Sequence, residues 1–436
     1  MAKLSLDQIL LKAKLYSKKG ENKEALKLYE VVLKKFPNNK RAQKGFSNLK
    51  KIIGLPHDKS PPQENINELV NLYNIGKFST VVEKASILVR EYPTAFIVWN
   101  ILGAAKKNLG LFDDAFEAFK KVTELNSNYA DGFNNLGIIL KGQGKFDEAL
   151  IAYKKALLIK PDYLEVCFNI GNIYKEQKKL KDAIVFYKKA IAINPDYAQA
   201  YNNMGITLKD QGKFEEAIIS YKKALVIKPK YAEVYNNIGN VLKEQRKLGE
   251  ALDSYKEAII IKPDYFEACF NIGNVLKEQE NLEESIEFYK KGILLNPNYA
   301  DAFLNMGEVF QTQGKFDDAV IAFNKAIAIN PYDPEAFNNR GVSLKEQGKI
   351  DESLVSYQKA ISLNSDYPDP YNNMGNILKE LGKLEEAIDN YKKAISLKSN
   401  YLDAYNNMGN ALKEQGRLKE AIDTYKIILS FNPNYM

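Results

Sequence analysis

Nine asparagines, Asn135, Asn169, Asn203, Asn237, Asn271, Asn305, Asn339, Asn373 and Asn407, follow one another at intervals of 34 residues. A side-chain amide both donates and accepts, so a row of amides can hold the backbone of an extended peptide whatever its side chains. Asparagine is a poor helix former, and its recurrence inside an apparent helix asks for a cause beyond local structure. Three residues further on, the same register drifts among Asn, Ile, Glu and Val, while these nine do not change. We read the row as a ligand-facing ladder. The competing explanations are recent duplication and amides that bond only to neighbouring helices.

Little else in the chain could do chemistry. The single histidine, His57, stands in a proline-rich stretch with no Cys or carboxylate cluster at ligand spacing, so no metal site is expected. Cys167 and Cys269 hold the same place in units three repeats apart, too distant for a disulfide, and read as small buried residues. No glycine-rich phosphate loop, Ser/His/Asp set or nucleophile elbow occurs. Catalytic residues and cofactors are therefore not expected, and the chain reads as non-enzymatic.

The elements that position the ladder follow from the same period. Gly103, Gly137, Gly171, Gly205, Gly239, Gly273, Gly307, Gly341, Gly375 and Gly409 also recur every 34 residues. A strict period of this length means one unit copied in tandem and stacked on its neighbours. In residues 198–231, numbered as positions 1 to 34, Tyr201, Met204, Gly205 and Leu208 share one third of a helical circumference. Ala217, Tyr221 and Ala224 form a second cluster, Gln211-Gly212-Lys213 breaks the pattern between them, and Pro229 ends it. Each unit is thus a pair of antiparallel helices, A and B. The ladder asparagine is position 6, on the side of helix A turned away from the unit's own core.

An aromatic at position 4, small residues at 8, 20 and 27, an aromatic at 24 and proline at 32 resemble the tetratricopeptide repeat. The resemblance implies an all-α, right-handed superhelical solenoid of antiparallel helix pairs, with helix A on the concave face. Repeats begin at 62, 96, 130, 164, 198, 232, 266, 300, 334, 368 and 402, the first of them degenerate, with Leu69 at position 8 and Val81 at 20. The expected organisation is residues 1–53 as one repeat plus a lone helix, 54–61 as a proline-containing linker, and 62–436 as an eleven-repeat array. The ladder and its surrounding AYNNMGN-like motif further resemble the superhelical region of O-linked N-acetylglucosamine transferases, where such a ladder holds substrate peptide. That likeness implies a scaffold for extended peptide segments. The alternative is the substrate-recognition region of a transferase whose catalytic domain lies outside this chain.

Charge and composition bound the partners. Residues 1–61 carry 15 Lys or Arg against 5 acids, while the remainder is nearly balanced at 47 against 50. Lysines outnumber arginines 57 to 5, which counts against sequence-reading nucleic-acid recognition. Proteins or unstructured peptides are the expected partners, with neither nucleic acid nor membrane. Acids at position 2 (such as Asp131 and Glu233) are also explained by the helix N-terminal dipole, but those at 13 (such as Glu244 and Glu278) are not, and together they suggest a groove mildly favouring basic peptides. The Lys pairs at 25–26 read as a solvated outer face. Short, interrupted apolar runs and the absence of an apolar signal core lead to a cytoplasmic expectation. Ile427 and Ile428 replace the Lys or Glu and the Ala or Gly of interior repeats, so the last helix is expected to present apolar surface that a following domain or end-on self-association would cover.

Overall fold

The computed structural model describes residues 6–36, 39–53 and 60–431, and among these it is helical with no strand. Most of the expected linker at 54–61, and Tyr435 and Met436, lie outside the described residues. Contacts divide the chain into residues 1–207 and 208–436. The first unit holds α1 (Leu6–Lys18), α2 (Asn22–Lys35), α3 (Lys40–Ile53), α4 (Gln63–Asn74), α5 (Phe78–Glu91), α6 (Phe96–Asn108), α7 (Phe112–Leu125), α8 (Ala130–Gly142), α9 (Phe146–Ile159), α10 (Leu164–Glu176), α11 (Leu180–Ile193) and most of α12 (Ala198–Lys209). The second holds α13 (Phe214–Ile227), α14 (Ala232–Glu244), α15 (Leu248–Ile261), α16 (Phe266–Glu278), α17 (Leu282–Leu295), α18 (Ala300–Thr312), α19 (Phe316–Ile329), α20 (Pro334–Glu346), α21 (Ile350–Leu363), α22 (Pro368–Glu380), α23 (Leu384–Leu397), α24 (Leu402–Glu414) and α25 (Leu418–Phe431). Consecutive helices pack as pairs, and each unit is an all-α solenoid of antiparallel helix pairs.

The pairing rests on one close approach. The aromatic ring at position 24 lies flat against the backbone at position 8. A Cβ on Gly239 would fall 2.5 Å from Tyr255 Cε1, and one on Gly307 2.6 Å from Phe323 Cε1. Tyr153, Tyr187, Tyr255, Tyr289, Phe323 and Tyr391 are fully buried by this arrangement, as are the alanines at positions 20 and 27. Where serine replaces alanine at 20, its hydroxyl is satisfied: Ser285 donates to the Gly273 carbonyl at 2.8 Å and Ser353 to that of Gly341 at 2.7 Å. In the degenerate repeat the sizes are exchanged. Leu69 at position 8 and Val81 at 20 are buried around Ala85, which stands where an aromatic would be, so volume is conserved.

The turn between A and B requires a left-handed residue at position 15. Glycine supplies it at Gly144, Gly212 and Gly314, but Lys178, Arg246 and Glu280 adopt φ of 59°, 62° and 62° there. The Asp333–Pro334 start behaves as its sequence implies, the Asp333 carboxylate accepting from the Glu335 and Ala336 amides. Arg340, which replaces the apolar residue at position 7, donates to Ser356 Oγ at 3.2 Å and Asn324 Oδ1 at 3.1 Å and lies 5.1 Å over the Phe337 ring.

The expectation for the last helix needs correction. Ile428 is buried, with 2% exposure, and belongs to the packing face of α25 rather than to an exposed patch. Ile427 remains exposed, together with Leu418, Ile422, Leu429 and Phe431. No described helix is long and apolar enough to cross a membrane.

Candidate functional site: the asparagine ladder

All nine ladder asparagines lie in the middle of an A helix and are half-buried. They sit off their own repeat's core, as the helical wheel implies. What the wheel does not show is that most of them reach back to the preceding repeat. In the first unit, Asn135 Nδ2 donates to Asn100 Oδ1 at 3.0 Å and Asn203 Nδ2 to Asn172 Oδ1 at 2.8 Å. In the second, Asn271, Asn373 and Asn407 donate to Asn236, Asn338 and Asn372 at 2.9, 3.1 and 3.1 Å. Asn271 also reaches Asn240 at 3.3 Å, and Asn339 donates to Glu308 at 3.2 Å. The acceptors occupy positions 5 and 9. The ladder therefore has a share in joining repeats, which partly accounts for its constancy without a ligand.

Position 9 belongs to the core as well as to the face. Its amide oxygen accepts from the buried hydroxyl at position 24: Tyr187 on Asn172 at 2.9 Å, Tyr255 on Asn240 at 2.8 Å, Tyr289 on Asn274 at 2.7 Å, Tyr391 on Asn376 and Tyr425 on Asn410 at 2.8 Å. In the repeat with Ile138 at position 9, Tyr153 Oη is buried with no protein partner. Burial pushes the pKa of these tyrosines well above the usual value.

The acids expected to attract basic ligands already have cations of their own. Position 12 lysines pair with position 13 acids of the next repeat: Lys141 with Glu176 at 2.9 Å, Lys243 with Glu278 at 3.4 Å and Lys345 with Glu380 at 2.8 Å. Lys277 turns instead to Asn305 Oδ1 at 2.6 Å and Glu308 at 2.7 Å. At position 2, Asp131 and Asp369 accept from Tyr163 and Tyr401, both at 2.6 Å. Pairs this exposed contribute little stability, about 0–1 kcal/mol each, and can exchange for a ligand. A further periodic bond, from position 14 glutamine to the acid at 18 of the preceding repeat, recurs in Gln245–Glu215, Gln313–Glu283 and Gln415–Glu385.

On this face of the second unit an open pocket of about 550 Å³ is lined by Lys209, Asn240, Lys243, Glu244, Asn271 and Glu278, with Arg246 at its rim. It brings a ladder amide, a core-linked amide and charges of both signs to one place. Cys167 and Cys269 are buried and unpaired, and burial raises both thiol pKa values, so neither is a ready nucleophile. Lys154-Lys155, Lys222-Lys223 and Lys392-Lys393 are exposed on the B helices. Among the described residues no group of three or more His, Cys, Asp or Glu could hold a metal ion.

Comparison with known families gives matches described as TPR repeat over residues 171–212, 207–246, 239–279, 273–314, 312–348, 343–382 and 375–416. Matches described as Tetratricopeptide repeat cover 9–39, 97–129, 130–163 and 402–435. Among solved structures, MamA is 26% identical, covering 37% of this chain and 95% of that one at a TM-score of 0.36. YrrB, titled a TPR protein with an unusual peptide-binding site, is 25% identical over 42% of this chain and 95% of that one, TM-score 0.36. The pilF protein of Pseudomonas aeruginosa is 20% identical over 46% and 92%, TM-score 0.43. No curated protein matches.

Proposed function

The chain belongs to the tetratricopeptide repeat family, whose repeats build protein-interaction scaffolds, and from that premise we propose that its helix A face binds extended, unstructured segments of partner proteins along the asparagine ladder. The observation that carries this reading is the conjunction of ladder and pocket at Asn240 and Asn271. Asn271 turns its NH2 to Asn236 and Asn240, so it is the amide oxygen that offers an acceptor for a peptide N–H. The mixed charges of the pocket are held in half-exposed pairs such as Lys243–Glu278 at 3.4 Å, which can exchange for a ligand. Binding is sequence-tolerant, because amides address backbone rather than side chains, and it is weak for short segments. One hydrogen bond nets about 0.5–1.5 kcal/mol, so affinity accumulates only as a ligand runs along several repeats.

The test is selection from a display library of random peptides followed by calorimetry of a selected peptide against the unaltered chain and the Asn237→Ala, Asn271→Ala, Asn305→Ala variant. The expected loss is at least about tenfold, the equivalent of one to several hydrogen bonds, with circular dichroism unchanged. Unchanged affinity overturns the proposal. Should the triple variant lose helicity, Asn305→Ala alone repeats the test, since its N–H donates within its own helix to the Asp301 carbonyl at 2.9 Å and the substitution gives up one bond to the preceding repeat, that from Lys277 to its oxygen.

A further inference from the structure

The three N-terminal helices carry a groove whose chemistry is unlike that of the ladder. It lies between α1 and α3 above α2, encloses about 790 Å³ and is floored by Leu10, Tyr29 and Leu49, all three buried in a hydrophobic cluster of their own. Tyr29 packs onto Gly45 of α3, where any side chain would collide with its ring. Where the ladder would place an amide at position 6, this groove has Leu11, which is 68% exposed. Around that leucine stand Lys14, Arg41 and Lys44 against one acid, Asp7. Lys14 and Lys44 make no ion pair among the described residues. The Arg41–Asp7 contact of 3.2 Å joins side chains 79% and 82% exposed, a pair with little holding strength.

We propose that this groove is a second binding site, for an acidic segment of a partner protein that carries an apolar side chain. The exposed leucine over an apolar floor supplies the anchor, and the lysines supply complementary charge on its rim. The surplus of 10 positive charges in residues 1–61 adds long-range attraction for an anionic partner, a field that the nearly neutral remainder lacks. A peptide is favoured over a nucleic acid because the one aromatic of the floor, Tyr29, is buried against Gly45 and cannot stack on a base, and the rim holds a single arginine. The site differs from the ladder in place and in the sign of the ligand it selects, so its test is separable from the ladder's.

The experiment measures fluorescence anisotropy of a labelled peptide alternating Glu and Leu, and of its Gln-for-Glu counterpart, with the full chain. The acidic peptide is expected to bind with marked salt sensitivity and to weaken at least about tenfold in Lys14→Glu, Lys44→Glu. It should weaken also in Leu11→Ser, a change at an exposed position that leaves the fold intact, and keep its affinity in the triple ladder variant. Absence of binding, equal binding of the neutral peptide, indifference to the charge reversals or loss in the ladder variant each overturns the proposal. So does displacement by a thymidine oligonucleotide at concentrations lower than the unlabelled peptide needs, which would assign the groove to nucleic acid.

Discussion

Tyr255 Oη donates to Asn240 Oδ1 at 2.8 Å, and that same oxygen accepts from Asn271 of the following repeat at 3.3 Å. The buried ring that seals one helix pair is thereby tied to the amide row on the helix A face. Asn172 makes the same junction in the first unit, with Tyr187 and Asn203. Because the ladder, the core hydroxyl and the next repeat share one acceptor, changes on the binding face are felt in stability, and stability must be measured beside every affinity.

A repeat that lacks the junction offers a direct comparison. Tyr153→Phe removes a buried hydroxyl with no protein partner beside Ile138, and should raise stability by about 1 kcal/mol; Tyr255→Phe removes a satisfied one and should lower it by about 1 kcal/mol. Urea unfolding midpoints of the two variants test this. Equal losses in both would show that Tyr153 is satisfied after all.

Where position 24 is aromatic, position 8 tolerates no side chain. Gly239→Ala would gain about 1 kcal/mol in helix propensity, but its Cβ would stand 2.5 Å from a fully buried tyrosine ring that has nowhere to move. Overpacking costs about 1–3 kcal/mol and wins, so a lowered melting temperature is expected. Gly142→Ala, with nothing within 4 Å of the added atom, should show the propensity gain alone. A stabilised Gly239→Ala protein would refute the close-approach argument.

The helix pairs, the glycine–aromatic contact and the ladder were legible in the sequence because each recurs in phase and concerns one helix or one repeat. Partners of the ladder were not, because they lie 31 or 35 residues away in the preceding repeat, and a helical wheel treats one helix at a time. One signal was present. Asn at position 9 occurs at 172, 240, 274, 376 and 410, always with Tyr at position 24, while Phe119 and Phe323 accompany Ala104 and Glu308. The lysine–acid pairs were hidden for the same reason: position 13 looked like surplus charge until the next repeat was stacked on it. Ile428 misled because a larger residue at a small-residue position was read as exposed, whereas the final helix accommodates it inside.

Three left-handed turns made without glycine predict easy stabilisation. Lys178→Gly and Glu280→Gly relieve a conformation that costs an L-residue about 1–2 kcal/mol, less the greater entropy of glycine in the unfolded chain. Each should gain about 0.5–1 kcal/mol in urea unfolding. Arg246→Gly should gain less, since it gives up the ion pair with Glu278 at 3.3 Å. Gly212→Ala, at φ of 74°, should lose a comparable amount. Destabilisation by both Lys178→Gly and Glu280→Gly would mean that their side chains hold the turn by contacts stronger than the strain.

Alkaline pH should loosen the stack over a defined window. Burial, with neighbouring acids, raises the Tyr265 hydroxyl from 10.0 to about 12; burial likewise raises Tyr357 to about 12. Between pH 10 and 12 the unfolded chain therefore binds fewer protons than the folded one, and stability falls as pH rises. The contribution is complete below pH 10 and is lost as pH passes through the folded value. A two-unit shift corresponds to about 2.7 kcal/mol at most, and about half of that is a reasonable expectation per fully buried tyrosine once the unfolded chain's residual burial is counted. Other groups also lose protons at alkaline pH, so the tyrosine share must be isolated. Tyr357→Phe does this, because it keeps the ring and removes the titrating group. Thermal melts at pH 9, 10, 11 and 12 should decline for both proteins, less steeply for Tyr357→Phe. Parallel declines would assign the whole loss to other groups and reject the part given to the buried hydroxyl.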